Sequence, residues 1–244
     1  MRVAAPSIHL NMASKLPRIC LLGLPSSGKG TYGALLSTSL SAPLITASTL
    51  LKQQTAADVE LKKVIEGGGL VPDEVISTIC EKAATPHGSY ILDGYPRTAG
   101  QALDCISWKT NPVTAAVFVD VPSWVVQRKI SGRLVCPGCG KGWNNVGIDE
   151  AGFDMPPLLH EGQDERCSCG TGLVRRGDDQ DEQVVQARLR NYEEKTAPVI
   201  DFFEERDMLI RFTPYKGIQD APNLEALVWK RYKSPALTGN LSPV

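Results

Sequence analysis

Long apolar runs are missing from this sequence. None approaches the roughly 20 residues that cross a bilayer, so the expectation is a soluble chain with no membrane partner. Charge imbalance is missing too: 26 Lys and Arg face 27 Asp and Glu, a formal net charge of −1. That balance excludes global attraction to nucleic acid or to an anionic surface, so small anions have to be held by local clusters of cations. Acidic residues are absent ahead of Asp58. The start of the chain carries Arg2, Lys15 and Arg18 with Ser7 and Ser14, and has no signal-peptide apolar segment. The expected compartment is the cytoplasm, with a mitochondrial or plastid address as the alternative that a basic, acid-free N-terminus offers. Internal repeats and low-complexity stretches are absent as well.

What is present is ordinary globular composition, 42% hydrophobic and 22% charged over 244 residues, enough for one sizeable core with inserted pieces. Apolar runs at 18–23, 89–93, 114–120 and 208–212 read as buried strands. Helical spacing recurs at 31–40, 73–84, 99–108, 123–131, 179–205 and 224–232. Strands alternating with helices predict an α/β fold, a parallel sheet flanked by helices on both faces. Two stretches interrupt the alternation: 46–74, with Gly67-Gly68-Gly69 near its end, and 132–177, rich in Gly, Pro and Cys. The expected organisation is an extension over 1–16, a core over 17–45, 75–131 and 178–234, inserts over 46–74 and 132–177, and a tail over 235–244. Irregular excursions of that length inside a compact domain are usually functional.

Of 7 cysteines, Cys20, Cys80 and Cys105 sit in apolar or helical contexts and read as small buried hydrophobes. The other four form Cys136-Pro-Gly-Cys139 and Cys167-Ser-Cys169. Without a secretion signal, such pairs point to a metal rather than to disulfides, and four thiolates suit Zn²⁺. The second pair is one residue tighter than Cys-x-x-Cys, which makes His160 a candidate substitute ligand. The alternative is a set of reduced, unliganded thiols.

Gly23-Leu-Pro-Ser26-Ser27-Gly28-Lys29-Gly30-Thr31 follows the first strand and opens a helix. Glycines let the backbone curl until its N–H groups face phosphate oxygens, and the helix start adds positive potential. Lys29 supplies a mobile charge near the β- and γ-phosphates, and Thr31 a hydroxyl for Mg²⁺. The general motif has Ser or Thr directly after the lysine; here Gly30 intervenes. This is a P-loop and implies a nucleoside triphosphate ligand.

Further motifs follow in order: Leu70-Val71-Pro72-Asp73-Glu74, Leu92-Asp93-Gly94-Tyr95-Pro96-Arg97 with Gln101, Gly132-Arg133, Arg176-Gly-Asp178-Asp179, and Arg188. With the loop they resemble the adenylate kinases and their nucleoside monophosphate kinase relatives, over about residues 17–234. The resemblance implies reversible Mg²⁺-dependent phosphoryl transfer from ATP to AMP by a P-loop NTPase-type fold. Residues 46–74 would be the monophosphate-binding insert and 132–177 a long lid, in which related four-cysteine lids hold structural zinc. It also implies roles. Lys29, Arg97, Arg133, Arg176 and Arg188 are the catalytic cations. Gly23, Ser26, Ser27, Gly28, Lys29, Gly30, Thr31, Lys129 and Arg133 bind ATP. Ala47, Lys52, Val71, Gly94, Arg97, Gln101, Arg176 and Arg188 bind AMP, Gln101 reading its base. Thr31 and Asp93 hold Mg²⁺ through water. Arginine suits such work because its planar fork grips phosphate with two hydrogen bonds. Asp178 and Asp179 are expected both to cap the long helix and to pair with arginines.

Three positions depart from the family pattern. Where it reads Ser-Thr-Gly-Asp-x-x-Arg, this chain has Thr46-Ala47-Ser48-Thr49-Leu50-Leu51-Lys52. Ala47 lacks a hydroxyl, and Lys52 keeps charge but loses the fork. Lys129 stands where an arginine commonly stacks on the donor adenine. The expectation is an active, monomeric enzyme with a raised KM for the acceptor. The alternatives are a GTP:AMP phosphotransferase or another nucleoside monophosphate kinase, and a nucleotide-binding structural subunit with weak or no activity.

Overall fold

The structure, a computed structural model, describes residues 16–54, 59–67, 69–159 and 166–233. Residues 1–15, Gly68, His160 and the tail 235–244 lie outside the described residues, and with them the N-terminal extension and the candidate substitute ligand.

Five parallel strands form the central sheet: β1 (Arg18–Leu22), β2 (Leu44–Thr46), β3 (Tyr90–Asp93), β4 (Ala115–Val119) and β10 (Leu209–Phe212), in the order β10-β4-β1-β3-β2. Every residue of β1 and β4 is buried, as expected for parallel strands covered on both faces. Successive side chains point to opposite faces and so feed two cores. Cys20, Leu22, Tyr90, Leu92, Ala116 and Phe118 face α4 (Asp73–Ala84), α5 (Ala99–Ser107) and α8 (Ala197–Glu204). Ile19, Leu21, Ile91 and Val117 face α1 (Lys29–Leu40) and α9 (Ala221–Lys233). Helices α2 (Ala47–Gln54) and α3 (Val59–Glu66) precede α4, and α6 (Ser123–Ser131) follows β4. No helix among the described residues is long and apolar enough to cross a membrane.

After α6 the chain builds a small antiparallel module. Strands β5 (Arg133–Val135), β6 (Gly142–Asn144) and β9 (Val174–Arg175) pair in the order β6-β5-β9, and β7 (Ile148–Glu150) pairs with β8 (Phe153–Met155) as a hairpin. The chain returns through α7 (Glu182–Asn191) to α8.

Three local expectations are corrected. Thr46, expected to open an insert, ends β2, a three-residue strand too short to show a pattern of its own. The helix expected over 179–205 starts at Glu182 and is interrupted by a π-helical stretch, Tyr192–Thr196, before α8. Pro198, at the start of α8, has no N–H to continue the ladder, so the register shifts there. The cap of α7 is Asp181, whose carboxylate accepts from the Gln183 and Val184 amides; Asp178 and Asp179 precede it in a 3₁₀ turn and serve elsewhere.

Candidate functional site

β1 lies between β3 and β4, which the chain visits on opposite sides of it. Ligands of open α/β sheets bind beyond the carboxyl ends of the strands at such a switch. The loop 23–28, the β3 end at Asp93-Gly94 and the chain after β4 all meet there.

Left-handed φ values at Gly23 (+142°), Ser26 (+65°) and Gly28 (+99°) curl the loop. At Gly23 a Cβ would lie 2.7 Å from the Val119 carbonyl oxygen and 2.8 Å from Ser27 Oγ, so only glycine fits. Gly28 is the N-cap of α1 and offers no side-chain cap, which leaves the first amides of the helix open to an anion. Ser27 Oγ is buried beside them without a hydrogen-bond partner. Lys29 folds back, its Nζ donating to the Gly23 and Leu24 carbonyls at 2.7 Å each. Burial pushes this ammonium down to about 7; Asp93 opposes the shift, while Arg97, Arg133 and Arg188 add to it. Thr31, half-buried, follows on α1, and a Cβ at Gly30 would sit 3.4 Å from Asp93 Oδ2, so the carboxylate borders the loop.

Arg97 Nε donates to the Gly94 carbonyl at 2.9 Å, and the Arg97 carbonyl accepts from Thr196 Oγ1 at 3.0 Å. Gly94 has φ +84°, and a Cβ there would crowd Arg97 Nη2 at 3.2 Å. Burial lowers the Arg97 guanidinium from its ordinary value, Asp93 opposing and Arg176 adding. By surface area Arg97 is exposed and Lys29 half-exposed, so protein surrounds both while one side stays open: they line a cleft.

The remaining arginines are gripped by two carboxylates. Arg133 makes a bidentate pair with Asp179. Arg188 Nη1 reaches Asp179 Oδ1 at 3.2 Å and Asp178 Oδ2 at 2.8 Å, and Arg176 Nε reaches Asp178 Oδ1 at 2.6 Å. Burial lowers Arg188 to about 10. Burial would raise the Asp178 carboxyl, but Arg176, Arg188 and Arg133 outweigh it and hold it below the ordinary carboxylate range. Asp178 therefore contributes stability at neutral pH that is lost as pH falls through its lowered value. Lys29, Arg97, Arg133, Arg176 and Arg188 thus share one electrostatic cluster, in which they outnumber Asp93, Asp178 and Asp179. An excess of positive charge in a cleft suits a polyanion, and planar forks suit phosphate.

Other sequence candidates lie outside this cluster. Gln101 is 3% exposed; its Nε2 donates to Asp73 Oδ1 at 2.7 Å and its Oε1 accepts from the Arg97 amide at 2.7 Å. Thr98 Oγ1, the α5 cap, also bonds Asp73 Oδ2 at 2.6 Å. This Asp73–Thr98–Gln101 lock, which fixes the Arg97 backbone, was not read from the sequence. Ala47 is buried against Gly94, Val71 is buried ahead of α4, and Lys52 is exposed on α2. Lys129 Nζ is bonded to the Val146 carbonyl at 3.0 Å.

In the antiparallel module the sulfurs of Cys136, Cys139, Cys167 and Cys169 lie within 4.8 Å of one another. The pairs Cys136–Cys169 and Cys139–Cys167 are 3.4 and 3.5 Å apart. A tetrahedron of sulfurs about 2.3 Å from one Zn²⁺ has edges of about 3.8 Å, so the four thiols fit a closed structural site and can hold a metal ion. The tighter Cys-x-Cys spacing does not keep the fourth sulfur away.

A family model described as adenylate kinase matches residues 21–208. Among curated relatives, an adenylate kinase of Kosmotoga olearia is 37% identical over 203 residues, 79% of this chain and 89% of its own length. One of Thermotoga neapolitana is 34% identical over 225 residues, covering 86% and 97%. One of Nitrosococcus oceani is 37% identical over 206 residues, covering 80% and 89%.

Proposed function

Because the chain belongs to the adenylate kinase family of nucleoside monophosphate kinases, we propose that this cleft transfers the γ-phosphoryl group of ATP to AMP, giving two ADP. The convergence of five cations beside an uncapped helix start carries the reading. Phosphoryl transfer asks mainly for alignment and charge neutralisation. The amides of residues 23–31 and Lys29 cradle the donor phosphates. Arg97, at the β3 end, holds the acceptor phosphate. Arg133, Arg176 and Arg188 neutralise the oxygens of the transferring group. No general base is required, since the acceptor phosphate is already an anion. Gln101 positions Arg97 through its backbone amide. Mg²⁺ supplies charge neutralisation at the phosphates when bound, and Thr31 with Asp93 fits it through water.

The module over 132–177 acts as a lid whose closure excludes water. Its four cysteines take one structural zinc, which stiffens a segment with few buried side chains of its own. Purified protein is expected to hold about one zinc per chain, and a chelator to lower its melting temperature. No zinc, with Cys167→Ser leaving the melting curve unchanged, would refute the metal.

A coupled assay with Mg²⁺, ATP or GTP, and AMP, CMP, UMP or GMP tests the function: turnover is expected with AMP. Lys52→Arg is expected to lower the AMP KM several-fold by restoring the fork. Absence of turnover with every pair would favour a structural subunit.

A further inference from the structure

Arg97 is held by its backbone as well as by its fork. Its amide donates to Gln101 Oε1 at 2.7 Å, and its carbonyl accepts from Thr196 Oγ1 at 3.0 Å, a partner 99 residues along the chain. Thr196 is 8% exposed and is the last residue of the π-helical stretch between α7 and α8. Threonines in and at the ends of helices tend to spend the hydroxyl on their own backbone. Elsewhere in this chain they do: Thr38 donates to the Ala34 carbonyl at 3.1 Å, Thr78 to Glu74 at 2.8 Å and Thr85 to Glu81 at 2.8 Å, each four residues back. The carbonyl four residues behind Thr196 belongs to Tyr192 and already accepts from the Ala197 amide. The Thr196 hydroxyl crosses to Arg97 instead.

The π turn decides which way that hydroxyl faces. Arg188 and Thr196 are eight residues apart. In an unbroken α-helix eight residues turn through about 800°, which leaves the two side chains about 80° apart. A π turn takes up one extra residue, about 100°, and brings them to within about 20° of one another. One helical run therefore presents both to the cleft, Arg188 to Asp178 and Asp179 and Thr196 to the Arg97 carbonyl. Val199 and Phe203, three and seven residues past Thr196, are fully buried in the core beneath α5. Thr196 thus opens the core-facing stripe of α8, and its hydroxyl comes from a packed helix rather than from a loop.

We propose that Thr196 is a positioning residue for Arg97, and that the π turn serves to place it on the face that carries Arg188. The inference rests on the proposed role of Arg97 toward the acceptor phosphate and adds to it a residue that no motif marks. Without the hydroxyl, Arg97 keeps the Gly94 and Gln101 contacts but loses the one that ties its carbonyl to α8. Its fork then spends less time where the acceptor phosphate is held. Thr196 acts through Arg97 alone, so the loss should fall on the acceptor and spare the donor.

The test uses the full chain. Thr196→Val keeps the shape and removes the hydroxyl; it is expected to raise the AMP KM about three- to tenfold and to leave the ATP KM and kcat within about twofold. Thr196→Ser, which restores the hydroxyl, should return the AMP KM to within about twofold of the unaltered protein. Hydrogen exchange at the Arg97 amide reads the same turn without any nucleotide: Thr196→Val should speed it and Thr196→Ser should not. An unchanged AMP KM in Thr196→Val would overturn the proposal, as would unchanged exchange, or a rise in both KM values that Ser fails to reverse. If the unaltered protein turns over no nucleotide pair, the kinase reading falls, and the exchange result alone decides whether Thr196 holds Arg97.

Discussion

Replacing Lys29 with Met is expected to lower kcat about 10²–10³-fold, the usual cost of removing one preorganised charge from a transition state. Lys29 is the only one of the five clustered cations within the phosphate loop, and its ammonium spans the carbonyls of Gly23 and Leu24. The four arginines come from four other segments, after β3, on β5, after β9 and on α7, and none of them lies in the loop. The same crowding gives a proton signature. With its titration lowered to about 7 in the folded chain against about 10.4 when unfolded, the unfolded state holds more protons across that window. Stability linked to Lys29 therefore rises with pH from about 7 upward. A triphosphate beside the ammonium restores its charge, so at pH 8 donor binding should take up a proton, seen as a buffer-dependent binding heat. Lys29→Met should show neither effect. Near-normal turnover in that variant would remove the loop from the mechanism.

Replacing Asp179 with Asn is expected to cost more in stability than any other single change in the cleft. The carboxylate side chain is 1% exposed and carries both Arg133 and Arg188. Removing one partner of a buried pair costs about 3–5 kcal/mol, because the remaining charge is stranded. Arg133 and Arg188 retain 14% and 20% exposure and Asp178 still holds Arg188, which places the cost near the low end. At about 2–4 °C per kcal/mol for a chain of this size, the melting temperature should fall by roughly 10 °C. Turnover should fall too, because Asp179 fixes where two of the arginine forks proposed for phosphate point. A melting shift within 2 °C would show that solvent, not Asp179, compensates these arginines; that threshold is about 1 kcal/mol.

The central sheet was legible because strands buried on both faces leave unbroken apolar runs; β1 and β4 are of this kind. Helices α4 and α6 carry one apolar stripe each and begin and end where the pattern does. β2 was not legible, since three residues beside Pro43 cannot establish a period. Strands β5 to β9 failed for the same reason, and the β7–β8 hairpin, with Gly147 ahead of it and Gly152 in its turn, passed for loop. Three acids, Asp178, Asp179 and Asp181, compete for one helix start, and only geometry shows that Asp181 caps while the other two turn toward arginines. Within the cleft, glycine and lysine spacing announced the loop, because backbone curvature is encoded locally. Gln101 illustrates the opposite: its residue type suits base recognition, and spacing did not show that its amide also bonds Asp73 and the Arg97 backbone. Whether a polar side chain faces a ligand or a neighbour depends on long-range packing that spacing does not carry.

The family match ends at residue 208, but the folding unit does not. Beyond that point β10 closes the sheet edge against β4, and Leu224 and Val228 of α9 seal the face that holds Tyr32 and Leu36. Tyr32 hangs from the Gly217 carbonyl by its hydroxyl, so the helix that presents the phosphate loop is braced by residues the family signature never reaches. The half of the chain that carries the phosphate loop thus leans on residues 209–233. A boundary drawn where that family match ends would cut through the foundation of the phosphate loop.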